Sequence, residues 1–407
     1  MEAWSATQPA ALPGQGYPLR LHDTATDEIR PLTPGQTATM YVCGITPYDA
    51  AHLGHAFAYL TYDLVQRVLR DAGRDVNYTQ NVTDIDEPLF ERANDTNETW
   101  DALGAREIEQ FRSDMSALNV LPPDHFVGAV EAMPLIVEMV GLLRDAGATY
   151  DLDGDTYFSV AAAPRFGTVG NLDTAEMVRR AAAGGGDPDR PGKKDPLDPV
   201  LWLAGRSGEP AWDAPWGRGR PGWHVECSAI ARATLGMPVD LHGGGTDLVF
   251  PHHEMSSAEA CAAVGSWPFV RHWTHNAMVG LHGEKMSKSK GNMVFVRHLR
   301  LDHDPMAIRL ALLGHHYRTP WEWFHEDIRR ADARLATWRA AFARPAGPPA
   351  EEVRNGVRRH LADDLDAPGA LAVVDRWAEV TLRAGGSSSD APAAVRDVAD
   401  GLLGVVG

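Results

Sequence analysis

Cys43, His52 and His55 fall within one stretch, YVCGITPYDAAHLGHAF, residues 41–57. The chain holds only three cysteines. Two further chemically loaded positions lie far downstream, Cys227 in GWHVECSA and His252 in FPHHE. Thiolate and imidazole are ligands that zinc prefers. No zinc-finger spacing links these residues, so a site of Cys43, Cys227 and His252 has to be assembled by the fold. Three protein ligands leave a fourth position for water or a substrate atom, and a thiolate suits it far better than a hydroxyl. For either cysteine alone, a buried inert thiol is the plainer reading. Cys261, in the apolar helical stretch AEACAAVG, reads as packing.

A second chemistry sits beside the first. HLGH, 52–55, opens a helix, and the N–H groups of a helix N-terminus favour anionic oxygens. Gly54 permits close backbone approach, and His52 and His55 can donate hydrogen bonds to phosphate. Lysine usage points the same way. Of 38 basic residues only five are lysines, and Lys285, Lys288 and Lys290 lie in GEKMSKSKG, 283–291. A chain that otherwise uses arginine needs compact ammonium groups there. Lys285 and Lys288 are placed to meet a triphosphate and neutralise developing charge, with Lys290 just beyond them.

These groups must be carried by strands and helices. TMYVCG, 39–44, reads as a buried strand. A helix is expected over 52–71, from the spacing of Leu53, Phe57, Leu60, Leu64, Val68 and Leu69, with Gly73 ending it. DVNYTQNVT, 75–83, reads as the next strand, so the start looks like half of a nucleotide-binding α/β sheet. A helix is expected over 99–118. Residues 125–205 read as an insertion with a helix near 129–145, a hairpin at 148–160 and the loop GGGDPDRPGKKDP. The sheet resumes with a helix at 222–236, the strand–turn–helix VDLHGGGTDLVFPHHE and a strand around 272–281. Residues 305–407 read as largely helical, with breaks at 344–350 and 385–390, and residues 1–37 as an extended lead-in.

Composition bounds the partners. Hydrophobic residues make up 44% and charged residues 23% of 407, as in a soluble globular protein. No apolar run has the length of a membrane span, and MEAWSATQPA lacks the pattern of a signal peptide. A cytoplasmic monomer without membrane attachment is expected. The net charge of −17 gives no general attraction to a phosphate backbone. From residue 321 onward there are 11 arginines, no lysines and 14 acidic residues, so no basic stripe grips RNA.

In order, CGITPYDAAHLGH, NVTDID, GWHVECSA, HGGGTDLVFPHHE and KMSKS resemble the class I cysteinyl-tRNA synthetases over roughly residues 35–310. The resemblance implies an α/β, Rossmann-like catalytic domain with a connective insertion and a C-terminal helical bundle. It implies the divisions 1–37 as N-terminal extension, 38–275 as catalytic domain with its insertion at about 125–205, 276–320 as lysine-loop and linking region, and 321–407 as helical domain. HLGH matches that family's HIGH motif, and the metal residues Cys43, Cys227 and His252 carry over as ligands of one Zn2+. ATP, with Mg2+, is the implied nucleotide. His52 and His55 then contact its phosphates or the adenylate, Lys285 and Lys288 its triphosphate, and Gly243, Gly244 and Gly245 leave room for adenosine. Thr46, Thr83 and Trp223 shape the cysteine pocket. Asp247 meets either the substrate ammonium or an attacking amine. Glu226 and Glu254 read as supporting partners, His253 as either ligand-facing or packing, and the tryptophans of WEWF as seating the C-terminal helices.

Departures from the synthetase pattern narrow this. PHHEMS puts Ser256 where the family carries a further glutamate ligand. Pro47 stands for the usual valine, DEP at 86–88 for DDK, and the chain after its helices is too short for an anticodon-reading region. Over its full length the sequence is similar to a cysteine-ligase branch of the family, in mycothiol biosynthesis. That branch implies L-cysteine, ATP and glucosaminyl-inositol as substrates and no stable nucleic-acid partner. A compact cysteinyl-tRNA synthetase is the alternative.

Overall fold

The computed structural model describes residues 1–49, 51–281, 283–286 and 293–406, with the backbone alone for Lys285. Lys288 and Lys290 of the expected phosphate loop lie outside the described residues.

The expected lead-in carries a hairpin, β1 (Arg20–Asp23) against β2 (Glu28–Pro31). The expected strand forms as β3 (Thr37–Ile45), the helix after it as α1 (Leu53–Asp71), and the next strand as β4 (Asp75–Val82). α2 (Glu87–Thr96) starts on the Asp86 cap, and α3 (Trp100–Ala117) follows. β5 (His125–Gly128) sits where the insertion was expected to begin, but pairs with β4 as the edge of the main sheet.

The inserted region carries α4 (Met133–Asp145), β6 (Thr149–Leu152), β7 (Asp155–Phe158), α5 (Thr174–Ala183), β8 (Val200–Ala204) and β9 (Gly219–Pro221). Strands β6 to β9 make their own antiparallel sheet. α6 (Trp223–Leu235), β10 (Leu241–Gly245), α7 (Glu254–Val264) and β11 (Trp273–Asn276) complete the core. The single strand expected at 272–281 is instead two, β11 and β12 (Val279–Leu281), in different sheets. β12 joins β13 (Glu284–Lys285). After α8 (Val296–Asp302) and α9 (Pro305–Leu313), β14 (Trp321–Glu322) returns to β12. Helices α10 (His325–Phe342), α11 (Glu351–Ala362), α12 (Ala367–Ala384) and α13 (Ala391–Leu403) close the chain.

The main sheet runs β11-β10-β3-β4-β5, all parallel. Strand order reverses between β3 and β10, so the chains leaving these strands diverge and open a crevice at their carboxyl ends. That reversal puts the segments after Cys43 and after Gly245 on either side of one cleft.

Two cores lie on the sheet's faces, and β3 alternates between them. Met40 and Val42 enter the core shared with α1 and the C-terminal helices, whereas Tyr41 and Cys43 enter the core shared with α4, α6 and α7. An irregularity after Val42 changes the phase, so Ile45 returns to the first core. Gly44 permits it, since a Cβ there would lie 1.5 Å from the Asn81 carbonyl oxygen.

The helical region is locked to α1 by buried charge. Asp63 accepts from Arg67 at 2.8 Å and pairs with Arg309, all three beneath the surface. Arg67 donates to the carbonyls of Asn119 and Asp400, at 2.9 and 2.8 Å. Arg309 donates to those of Leu403 and Leu118, at 2.6 and 2.8 Å. Burial pushes the Asp63 carboxyl up, but the two guanidiniums outweigh it and hold it below the ordinary range.

Candidate metal centre and active site

Cys43 lies two residues before the end of β3, the first turns of α6 present Cys227, and the turn before α7 presents His252. Phe250 in that turn is extended (φ −143°, ψ 132°), which kinks the chain so that His252 and His253 both turn inward. The Cys43 and Cys227 sulfurs are 3.8 Å apart and unbridged, and His252 Nε2 lies 3.2 Å from Cys227 Sγ. All three donor atoms lie within 4.8 Å of one another, and all three residues are buried. Two thiolates at about 2.3 Å from a tetrahedral zinc are about 3.8 Å apart, so the sulfur pair fits that ion. Burial and the Cys227 side chain push the Cys43 thiol up. For Cys227, burial opposes ionisation but the Cys43 hydrogen bond and the His252 ring outweigh it, and the thiol falls well below its usual value. The pair is thus disposed to hold negative charge in a dry place, as a cation site requires.

Cys43 also belongs to a second set. His242 Nε2 and His253 Nε2 approach its sulfur at 3.4 and 3.2 Å, and these three donors again lie within 4.8 Å. His253 Nδ1 meets His275 Nε2 at 2.7 Å, and His275 Nδ1 meets the Thr24 hydroxyl at 2.6 Å. Burial, ahead of neighbouring charges, holds His224, His242 and His253 well below their usual range and His275 at about 3. These rings are neutral and available as donors or ligands. His253, left open by the sequence, therefore faces Cys43.

The surroundings fix the first set. His224 Nδ1 lies 3.0 Å from His252 Nδ1, and the Trp223 indole stacks on the His252 ring at 4.4 Å. The Ser256 hydroxyl donates to the His224 carbonyl at 3.2 Å, inside the helix packing. Thr83 accepts an Asn81 side-chain N–H at 3.2 Å, and its backbone N–H donates to Ile45 at 3.0 Å, so Thr46 and Thr83 leave adjacent strands together. Glu226 is buried one residue before Cys227, and burial, then Asp86, pushes its carboxyl well up. Glu254 has a structural task. It accepts from the backbone N–H groups of Gly167, Val169 and Gly170 at 2.8 to 3.0 Å and staples the insertion to α7.

Sequence reasoning missed His224, His242 and His275. A local signal existed for His224 alone. It is one helical turn before Cys227, whereas His242 gains its place only by pairing with Tyr41 across parallel strands.

At the other end of the cleft, His52 caps α1, its Nδ1 accepting from Gly54 N at 3.0 Å. A neutral ring so held carries its proton on Nε2. The His55 ring stacks on it at 3.9 Å. Leu53 N donates to Val294 at 2.9 Å and Val296 N to Ala51 at 3.0 Å, so the chain beyond the lysine loop is sewn to the HLGH turn. On the near side, Lys285 lies in β13, and β14 holds β12 through Trp321, whose indole meets Phe57 of α1 edge-on at 5.5 Å and stacks on His315 at 3.7 Å. The expected glycines are crowded by protein: a Cβ on Gly243 would meet the Tyr62 ring at 2.1 Å, and one on Gly244 would meet Leu248 at 2.8 Å. Asp247 is exposed on the turn after β10, with its charge felt at His275.

Residues 29–333 match the family described as tRNA synthetases class I (C) catalytic domain. An L-cysteine:1D-myo-inositol 2-amino-2-deoxy-alpha-D-glucopyranoside ligase of Streptosporangium roseum is 58% identical over the whole of both chains. A ligase of the same name from Thermobifida fusca is 61% identical, over all of this chain and 98% of its own. Among solved structures, Mycobacterium tuberculosis methionyl-tRNA synthetase in complex with methionyl-adenylate is similar with TM-score 0.62 at 17% identity, covering 90% of this chain and 89% of its own. At such identity the likeness speaks for the fold, a class I synthetase core.

Proposed function

The chain belongs to the class I (C) tRNA synthetase catalytic-domain family, and from that premise we propose that it is an ATP-dependent ligase of mycothiol biosynthesis. It activates L-cysteine as cysteinyl-AMP and joins it to the amine of 1D-myo-inositol 2-amino-2-deoxy-α-D-glucopyranoside. The observation that carries this reading is identity of 56–61% along essentially the full length of ligases with that activity in their name.

In the first half-reaction a cysteine carboxylate oxygen attacks the α-phosphorus of ATP, and diphosphate leaves. In the second, the sugar amine attacks the cysteinyl carbonyl carbon. The C–N bond forms, the C–O bond to AMP breaks with its electron pair on AMP, and the amine proton passes to solvent. Cys43, Cys227 and His252 are the ligand set we assign, because two sulfurs and one imidazole suit zinc better than the set with one sulfur. Zinc held there would supply a Lewis-acid position that takes a thiolate in preference to a hydroxyl. Trp223 walls that pocket by stacking on His252, and Thr46 and Thr83 close it from the strand ends. His52 and His55 direct N–H groups to phosphate oxygens at the α1 N-terminus, where the helix end adds favourable potential. Lys285, with Lys288, takes the triphosphate, accompanied by Mg2+. Asp247 stands at the cleft mouth, where it orients an ammonium or an amine. Placement of the amine is the main task of the second step.

We assign this chemistry to residues 38–275, the nucleotide loop to 276–320, and bracing to the helices of 321–407. We place the protein in the cytoplasm. Among the described residues no helix is long and apolar enough to cross a membrane.

The test supplies purified protein with ATP, L-cysteine, zinc and either glucosaminyl-inositol or cysteine tRNA. Sugar-dependent AMP release with a new cysteinyl amide is expected. Charging of tRNA without amide formation would overturn the ligase reading in favour of a compact synthetase.

A further inference from the structure

Two cavities lie on the side of the inserted region, and the inner one adjoins the metal centre. The inner one, of about 250 Å³, is lined by Trp223 and His224 on one side and by Tyr157, Arg190 and Lys193 of the insertion on the other. The outer one, of about 650 Å³, lies between α2, the start of α3 and the loop at 206–210. Glu87 and Arg206 line both, so the two are neighbours that meet at these side chains, and together they mark out a groove. Its inner end is the indole that stacks on His252. Its combined size lies in the range of small-molecule sites, roughly 300–1,000 Å³.

The lining of the outer part is chemically particular. Phe90 and Trp100 stand edge to face, 5.9 Å apart, and offer an apolar wall. Glu91, Asn94 and Asp101 supply acceptors around it. Arg220 secures the floor by pairing with Glu87 at 2.8 Å and Glu209 at 3.1 Å. Carboxylates and an amide beside an aromatic wall suit a neutral polyol ring, with O–H groups to the acceptors and C–H groups to the indole. The same carboxylates attract an ammonium and repel a phosphodiester.

We propose that this groove is the acceptor subsite. The amino-sugar ring lies toward Trp223, with its amine directed to the cysteinyl carbonyl, and the cyclitol ring lies in the outer part against Trp100, Glu91 and Asn94. The assignment rests on the ligase reading above, and it gives the inserted region a part in choosing the acceptor.

The two half-reactions separate the outcomes. Glu91→Gln, Glu91→Lys and Trp100→Ala are compared with wild type in cysteine-dependent ATP–diphosphate exchange and in sugar-dependent amide formation. The expected result is exchange within about twofold of wild type and a KM for glucosaminyl-inositol raised about tenfold or more, with Glu91→Lys the worst. Unchanged acceptor KM in all three variants overturns the assignment. So does a parallel fall of exchange and amide formation, which marks a structural role. Glu91 is exposed on α2, so its variants keep the test valid if Trp100→Ala fails to fold. A wild-type protein that exchanges diphosphate but forms no amide removes the ligase reading itself.

Discussion

At the thiol end of the cleft, Cys43, Cys227 and His252 are 7%, 1% and 1% exposed and come from a strand, a helix and a turn. At the phosphate end, His52 and His55 are half-buried and share the first turn of one helix. The difference follows from the ligands we propose for the two ends. Telling a thiol from a hydroxyl needs a dry, rigid set of soft donors, because water would compete for the open position and blur the distinction. A triphosphate arrives fully hydrated and its diphosphate must leave, so the partners proposed for it stay near solvent, at a helix end rather than in a buried cage. The buried end also carries its own support, in His224, Trp223 and the staple from Glu254. The open end is supported from outside, by the backbone bridge at Val294–Val296 and by Trp321.

If the two ends are separate devices, substitutions should sort by which measurement they spoil. Cys227→Ser should have the largest effect. Metal analysis should show zinc lost, and cysteine-dependent exchange should fall by more than the roughly 100-fold upper end of changes to groups that support a ligand. Full exchange by a metal-free variant would break the account of the thiol end. His55→Ala should keep its zinc and lose roughly 10²–10³ in exchange rate, as for removal of one donor to developing charge. Zinc loss in that variant would show the ends to be coupled. His224→Phe should weaken zinc by roughly 10–100-fold through His252, with the KM for ATP unchanged. A raised KM for ATP with tight zinc would reverse the assignment of that ring.

The smallest effect should touch both ends at once. His272 lies on the shared sheet, with its carbonyl accepting from His242, and burial pushes its imidazole down to about 4. Between pH 6.5 and about 4 the unfolded chain binds a proton there and the folded chain does not. Stability should therefore fall as pH drops through that window, by at most about 1.4 kcal/mol per pH unit for this one site. Thermal unfolding of wild type and His272→Gln, between pH 7 and 5, checks it. Equal slopes would remove His272 as a source.

Much of this was legible beforehand because it is local. The spacing of Leu53, Phe57, Leu60, Leu64 and Val68 sets α1, found over Leu53–Asp71. The apolar run TMYVCG marked β3, and the helix expected at 222–236 forms as α6, Trp223–Leu235. The readings that shifted depended on partners distant in the chain. His125–Gly128 looked like part of an insertion because nothing local says that it pairs with β4. The run at 272–281 looked like one strand because a change of sheet leaves no composition signal. His242 was passed over because its value comes from Tyr41, its neighbour across the sheet and 201 positions earlier in the chain.

The sequence alone determined the ingredients: two cysteines and a histidine with soft donor atoms, a histidine pair on a helix start, and a lysine cluster in an arginine-rich chain. Residue type decides softness, charge and local periodicity, so these needed no coordinates. Tertiary structure alone decided that Cys43 and Cys227 stand 3.8 Å apart, that a second histidine pair shares Cys43, and that a groove runs from Trp223 along α2. The reason is the reversal of strand order between β3 and β10, which brings into one cleft segments some 200 residues apart along the chain.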